Sequence, residues 1–120
     1  MARMADATIY HNPRCTKSRQ AMQVATELGV DVDVVKYLDT PPDEATLRSI
    51  IAKLEDPVAD LVRRDGWNEL GITAADVATE DGVVAVLLAH PELMQRPIVV
   101  RGDRAVIGRP TERVNEILGA

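Results

Sequence analysis

Residues 7–37 read as a strand, a helix and a second strand, and this unit limits the fold more than any other stretch. Ala7-Thr8-Ile9-Tyr10 is a short, largely apolar run of strand character. Met22, Val24, Ala25 and Leu28 fall where the inner face of a helix would place them. Gly29 is positioned to cap that helix, and Val32 to Tyr37 resumes an extended pattern. Two strands joined by a crossover helix lie parallel. Ligands of such sheets bind beyond the carboxyl ends of the strands. The segment to inspect is therefore the turn from first strand to helix, His11-Asn12-Pro13-Arg14-Cys15-Thr16-Lys17-Ser18-Arg19.

That turn holds the only cysteine of the chain. The first turn of a helix offers unpaired N–H groups and the positive end of the dipole, and both favour a thiolate. A free thiol titrates at about 8.5, and a helix N-terminus with cationic neighbours lowers it by one to several units. Arg14, Lys17 and Arg19 lie beside Cys15 in sequence, His11 is four residues upstream, and Ser18 offers a hydrogen bond. Pro13 stops the strand. A lone cysteine is more often a small buried hydrophobe than a catalyst. Its placement among these donors weighs the other way, towards a nucleophile.

The rest of the chain supplies a second half. Asp43 is a good N-cap for a helix carrying Leu47, Ile50, Ile51 and Leu54 inward. Asp56-Pro57 opens another, with proline at its first position, running to about Arg63-Arg64-Asp65-Gly66. A short helical piece spans Trp67 to Gly71. Thr73 and Thr79 cap two more, the second covering Val83 to His90 and stopped by Pro91. Ile98-Val99-Val100 and Ala105-Val106-Ile107 form a hairpin around Gly102-Asp103. A last helix starts at Gly108-Arg109-Pro110-Thr111, with Val114, Ile117 and Leu118 inward. The order β-α-β-α, helical insert, β-β-α is that of an α/β, thioredoxin-like mixed four-stranded sheet. Residues 1–120 are expected to form a single domain, with the insert at about 57–95.

Composition narrows the function. With no Phe, one Trp and two Tyr, the core must be aliphatic. A net charge of −5 argues against nucleic acid and acidic membranes as partners. Met1 to Asp6 has no apolar centre and is not a secretory signal. The longest apolar run, Val83 to Ala89, is too short to span a bilayer. A cytoplasmic chain is expected. The glycines of a phosphate-binding loop are missing before Lys17. Ala21 stands where a tyrosine-phosphatase loop needs arginine, and Ser18 where a Cys-x-x-Cys pair needs its second cysteine. One Cys and two distant His make a metal site unexpected. His90 reads as a helix-end residue. Arg63, Arg96 and Arg109 lie at element ends, where binding groups sit, and arginine's planar fork suits a tetrahedral oxyanion. Arg64, Arg101, Arg104 and Arg113 read as surface.

Taken together these residues resemble the glutaredoxin-linked arsenate reductases of the thioredoxin fold, over nearly the whole chain. The marks are Ile9 to Cys15, Ser18-Arg19, Tyr37-Leu38 with Pro41-Pro42, Leu61-Val62-Arg63, His90-Pro91, Arg96 to Val100 and Gly108-Arg109-Pro110. The resemblance implies that Cys15 is the nucleophile towards arsenate and that Arg63, Arg96 and Arg109 bind the oxyanion. It implies that His11 and Ser18 keep the thiol ionised and that Pro97 is a cis-proline facing it. Thr16-Lys17 departs from the Gly-Thr of the founding type. No bound cofactor is implied. With one cysteine, the second thiol must come from outside; glutathione with glutaredoxin, or another low-molecular-weight thiol system, is the implied partner, and a monomer is expected. Two alternatives belong to the same fold: a Spx-like redox regulator binding RNA polymerase, and a reductase of another oxyanion or thiol adduct. Spx-type regulators typically carry Cys-x-x-Cys, which Ser18 interrupts.

Overall fold

The computed structural model describes residues 5–119. Of the stretch Met1 to Asp6, read as no secretory signal, the first four residues fall outside them. Four strands form one mixed sheet in the order β2-β1-β3-β4. β1 (Ala7–His11) and β2 (Val32–Lys36) are parallel, with His11 opposite Lys36. β3 (Ile98–Arg101) runs antiparallel to both β1 and β4 (Arg104–Ile107). The expected α/β, thioredoxin-like sheet is the sheet observed. Among the described residues no helix is long and apolar enough to cross a membrane.

Strand alternation builds two cores. Ile9, Val99 and Val106 point to one face, where α1 (Thr16–Leu28) and α5 (Glu112–Leu118) cover them with Ala21, Val24, Ala25, Val114, Ile117 and Leu118. Tyr10, Ile98, Ala105 and Ile107 point to the other, against α2 (Glu44–Lys53), α4 (Glu80–Ala89) and the segments between and after them. Each fully buried aliphatic side chain contributes about 1.5–3 kcal/mol. The absence of Phe is met by Val, Leu and Ile, as expected.

The helices with strong start signals form where the sequence places them. Asp43 accepts from Thr46 N–H at the start of α2, and Thr79 from Gly82 N–H at the start of α4. Gly29 closes α1 in the left-handed region, as a C-cap requires.

Four expectations change. Leu28 is 45% exposed and lies off the inner face of α1. The helix expected from Asp56-Pro57 to Arg63 is one 3-10 turn, Val58–Leu61, with Pro57 outside it. Its chain then leaves to pair with the segment before β3: Arg63 N–H donates to Leu93 O at 2.7 Å and Gln95 N–H to Leu61 O at 2.7 Å. The Thr73-capped segment is also a 3-10 turn, Ala74–Val77, following α3 (Trp67–Leu70). Pro91 ends α4 and begins a further 3-10 turn, Pro91–Leu93. Among the arginines read as surface, Arg113 is half-buried against Asp56, and Arg101 is half-buried with Nη1 on the carbonyls of Ile117 and Leu118.

Candidate active site

β1 ends at His11, and residues 12–14 turn the chain into α1, with Cys15 as its N-cap in extended conformation (φ −93°, ψ 124°). An N-cap side chain faces the N–H groups two and three residues on. Those belong to Lys17 and Ser18, and both act on the sulfur. The loop is held from within: Cys15 N–H donates to Asn12 O at 3.0 Å and Arg14 N–H to Asn12 Oδ1 at 3.0 Å. Ser18 is fully buried, and its Oγ accepts from Asn12 N–H at 2.9 Å and lies 2.8 Å from His11 Nδ1. His11 and the Ser18 hydroxyl thus brace the loop, while the Ser18 backbone N–H faces the sulfur.

The cations at the sulfur come from the far end of the chain. Arg109 Nη2 donates to Cys15 Sγ at 3.4 Å, while its Nε donates to Arg96 O at 2.7 Å. Arg96 also acts on the thiol directly. Its peptide bond to Pro97 is cis, and so is that between Arg109 and Pro110. Pro97 is buried; its carbonyl accepts from Gly108 N–H at 2.8 Å, tying the segment before β3 to the one after β4. Arg14, Lys17 and Arg19, adjacent in sequence, are exposed. Arg19 donates to Pro13 O and Thr16 Oγ1, bracing the loop.

Burial pushes the Cys15 thiol up. The Ser18 N–H, the Arg96 guanidinium and the Lys17 N–H outweigh it, and the net pKa lies below the usual thiol value. Burial also lowers His11, helped by Lys36 and Arg19 and opposed by Ser18. A neutral His11 at neutral pH adds no charge to the sulfur and acts on it through the loop.

Arg63 has a carboxylate partner of its own. Its guanidinium pairs with Asp65 at 2.6 Å, and it lines, with Arg109, Arg113, Gln95 and Asp56, a cavity of about 300 Å³. Trp67 Nε1 donates to Arg63 O at 2.6 Å, fixing the backbone there. Of the sequence-expected residues, Cys15, His11, Ser18, Arg96, Pro97 and Arg109 converge, and Arg63 lies at the shared cavity.

Two buried donors have no partner among the described residues, Tyr37 Oη and Arg96 Nε. An unmet buried polar group costs about 1–3 kcal/mol. Tyr37 was a mark of resemblance without a role in the sequence reading; its place one residue beyond β2, beside the Cys15 loop, was the available signal.

A family profile described as the ArsC family matches residues 10–117. The chain is 43% identical over 114 residues to the uncharacterized protein YfgD of Escherichia coli K12, covering 92% of this chain and 95% of that one. It is 40% identical over 118 residues to an arsenate reductase of Neisseria meningitidis, covering 96% and 100%. The solved arsenate reductase of Vibrio cholerae superposes with a TM-score of 0.81 at 34% identity, over 96% of this chain and 99% of that one.

Proposed function

Since the chain belongs to the ArsC family, we propose that it reduces arsenate to arsenite through the Cys15 thiolate, with an external thiol as reductant. The observation that carries this is a single sulfur at the N-cap of α1 with the Arg109 guanidinium 3.4 Å away; the Ser18 N–H, Arg96 and the Lys17 N–H favour its thiolate against burial. That arrangement suits a nucleophile facing a tetrahedral oxyanion. Arsenate reductases at about 40% identity support the choice of arsenic.

The need for an external thiol follows from the cysteine count. Cys15 S⁻ attacks As(V), an As–O bond breaks and the oxygen leaves as water after taking a proton. Arg96 and Arg109 balance the charge on the remaining oxygens. A thiolate RS⁻ from outside then attacks the Cys15 sulfur. The S–As bond pair passes to arsenic, which becomes As(III), and Cys15–S–S–R forms. A second external thiol releases Cys15 and carries away the disulfide. Glutathione with glutaredoxin is our choice of thiol system, acting in the reducing cytoplasm on a monomer whose residues 1–120 work as one domain. Arg63 joins the oxyanion by exchanging Asp65 for it across the shared cavity. His11 and Ser18 keep the loop in the shape that aims the N–H groups, and Pro97 packs opposite the thiolate.

The test is arsenite formation by purified protein with arsenate, glutathione and glutaredoxin, beside Cys15→Ser. Arsenite is expected from the parent only, and none without thiol. Equal arsenite from the variant, or turnover with no thiol added, would remove the scheme.

A further inference from the structure

Tyr37 is fully buried, and its hydroxyl is one of two buried side-chain polar atoms without a partner among the described residues; the other is Arg96 Nε. The two belong to one neighbourhood. His11 pairs with Lys36 across the parallel β1–β2 ladder, so Tyr37, the next residue, lies alongside Asn12 at the start of the Cys15 loop. Its ring packs in the core cluster that holds Tyr10 and Ile98, and Ile98 is two residues from Arg96. The surroundings of the hydroxyl agree with this placement: burial raises the Tyr37 pKa, the Arg96 charge and the nearby polar groups of Asn12 and Arg96 lower it, and Cys15 raises it, while neither Asn12 nor Arg96 meets hydrogen-bond geometry to Oη. The hydroxyl is thus neutral, held in the core by its ring and turned towards the anion-binding arginine.

We propose that Tyr37 is a positioning residue for Arg96, its Oη accepting from Arg96 Nε–H when an oxyanion occupies the site at Cys15. Arginine has five donors in a fixed fork. A partner on the Nε edge fixes the plane of the fork and leaves the remaining N–H groups for the anion and the sulfur. A buried phenol suits this task, since its ring is immobilised by packing and its oxygen accepts without carrying charge. The unmade bond gives the bound state something that the free state lacks: two buried groups are satisfied together when the fork turns to the anion.

The proposal rests on the reading that Cys15 faces an oxyanion, but not on turnover. The probe is therefore protection of Cys15 from iodoacetamide by arsenate, and by phosphate as a non-reducible analogue. Tyr37→Phe keeps the ring and removes only the oxygen. We expect the half-protecting concentration to rise about tenfold, with an unchanged pH profile of alkylation and a melting temperature no lower than the parent's. In an Arg96→Lys background, which keeps the charge but has no Nε–H of a guanidinium, Tyr37→Phe is expected to change protection less than twofold.

Unchanged protection in Tyr37→Phe, an equal loss in both backgrounds, or a parent that neither anion protects would each overturn the proposal. A shifted alkylation profile would also overturn it, since the hydroxyl would then act on the thiolate. Should Tyr37→Phe not fold, ring-labelled tyrosine in the parent decides. The chain has two tyrosines, and the Tyr37 Cζ signal should move on arsenate addition with the same midpoint as protection; a static signal is the contrary result. Anion protection that depends on Tyr37 in a protein making no arsenite would sink the reductase reading alone.

Discussion

At the scale of the residue, the groups that touch the sulfur decide its chemistry. Sequence proximity suggested Arg14, Lys17 and Arg19, yet all three are exposed, and the guanidinium at 3.4 Å from Sγ belongs to Arg109. Such long-range partners carry no local signal; element ends and the resemblance were what marked Arg96 and Arg109. Arg101 and Arg113 were misread for the same reason, because their burial is supplied by α5 and by Asp56. Arg96→Lys keeps the charge and loses the fork, so the rate of arsenate reduction should fall by about 10–100-fold. Steady-state kinetics at saturating thiol measures this, and a rate within twofold of the parent would place Arg96 outside the site. Ser18→Ala removes the brace between His11 and the Asn12 N–H while keeping the backbone N–H that faces Cys15. It should destabilise by about 1–3 kcal/mol, since His11 Nδ1 and Asn12 N–H are left unpaired in the interior. Denaturant melts measure it, and an unchanged midpoint would show that the brace carries no stability.

At the scale of the element, β1 and β2 were legible from their short extended runs, α1 from its inner face and Gly29, and α2 and α4 from Asp43 and Thr79. The 3-10 turns of the insert were not. A single turn such as Val58–Leu61 is held by pairing with residues 93–95, which no local pattern records. Tyr37 likewise looked like a strand residue, and only the β1–β2 register shows that it sits just past the strand, beside the reactive loop. The approach of α5 to the cis-Pro97 segment depends on Gly108. A Cβ there would meet Pro97 Cγ and Val114 Cγ2 at 2.8 Å each. Gly108→Ala must therefore push Pro97 or α5 away. We expect a loss of about 1–3 kcal/mol in stability from overpacking, with slower alkylation of Cys15 as Arg96 and Arg109 shift. Thermal melts and alkylation rates test the two together. A variant with parent-like values in both would mean that the segment yields freely.

At the scale of the whole molecule, the helices on both sheet faces fix the carboxyl end of β1, and the two distant arginine segments close over it. Folding and the state of the thiol are therefore coupled. The folded pKa of Cys15 and that of His11 both lie below their unfolded values. In each window between folded and unfolded pKa the unfolded chain binds more protons, so stability rises with pH and is lost as pH falls. For His11 the window closes at about 6.5 and for Cys15 at about 8.5. Melting temperature against pH should rise more steeply in the parent than in Cys15→Ser below about pH 8.5; parallel curves would mean that the fold does not hold the thiolate. The most direct measurement follows from the single cysteine, which makes whole-protein alkylation a one-site readout. The rate of iodoacetamide addition, followed by intact mass across pH, should titrate clearly below the free-thiol value of about 8.5. A midpoint at or above that value would contradict the claim that the fold lowers the Cys15 pKa and holds it as a thiolate.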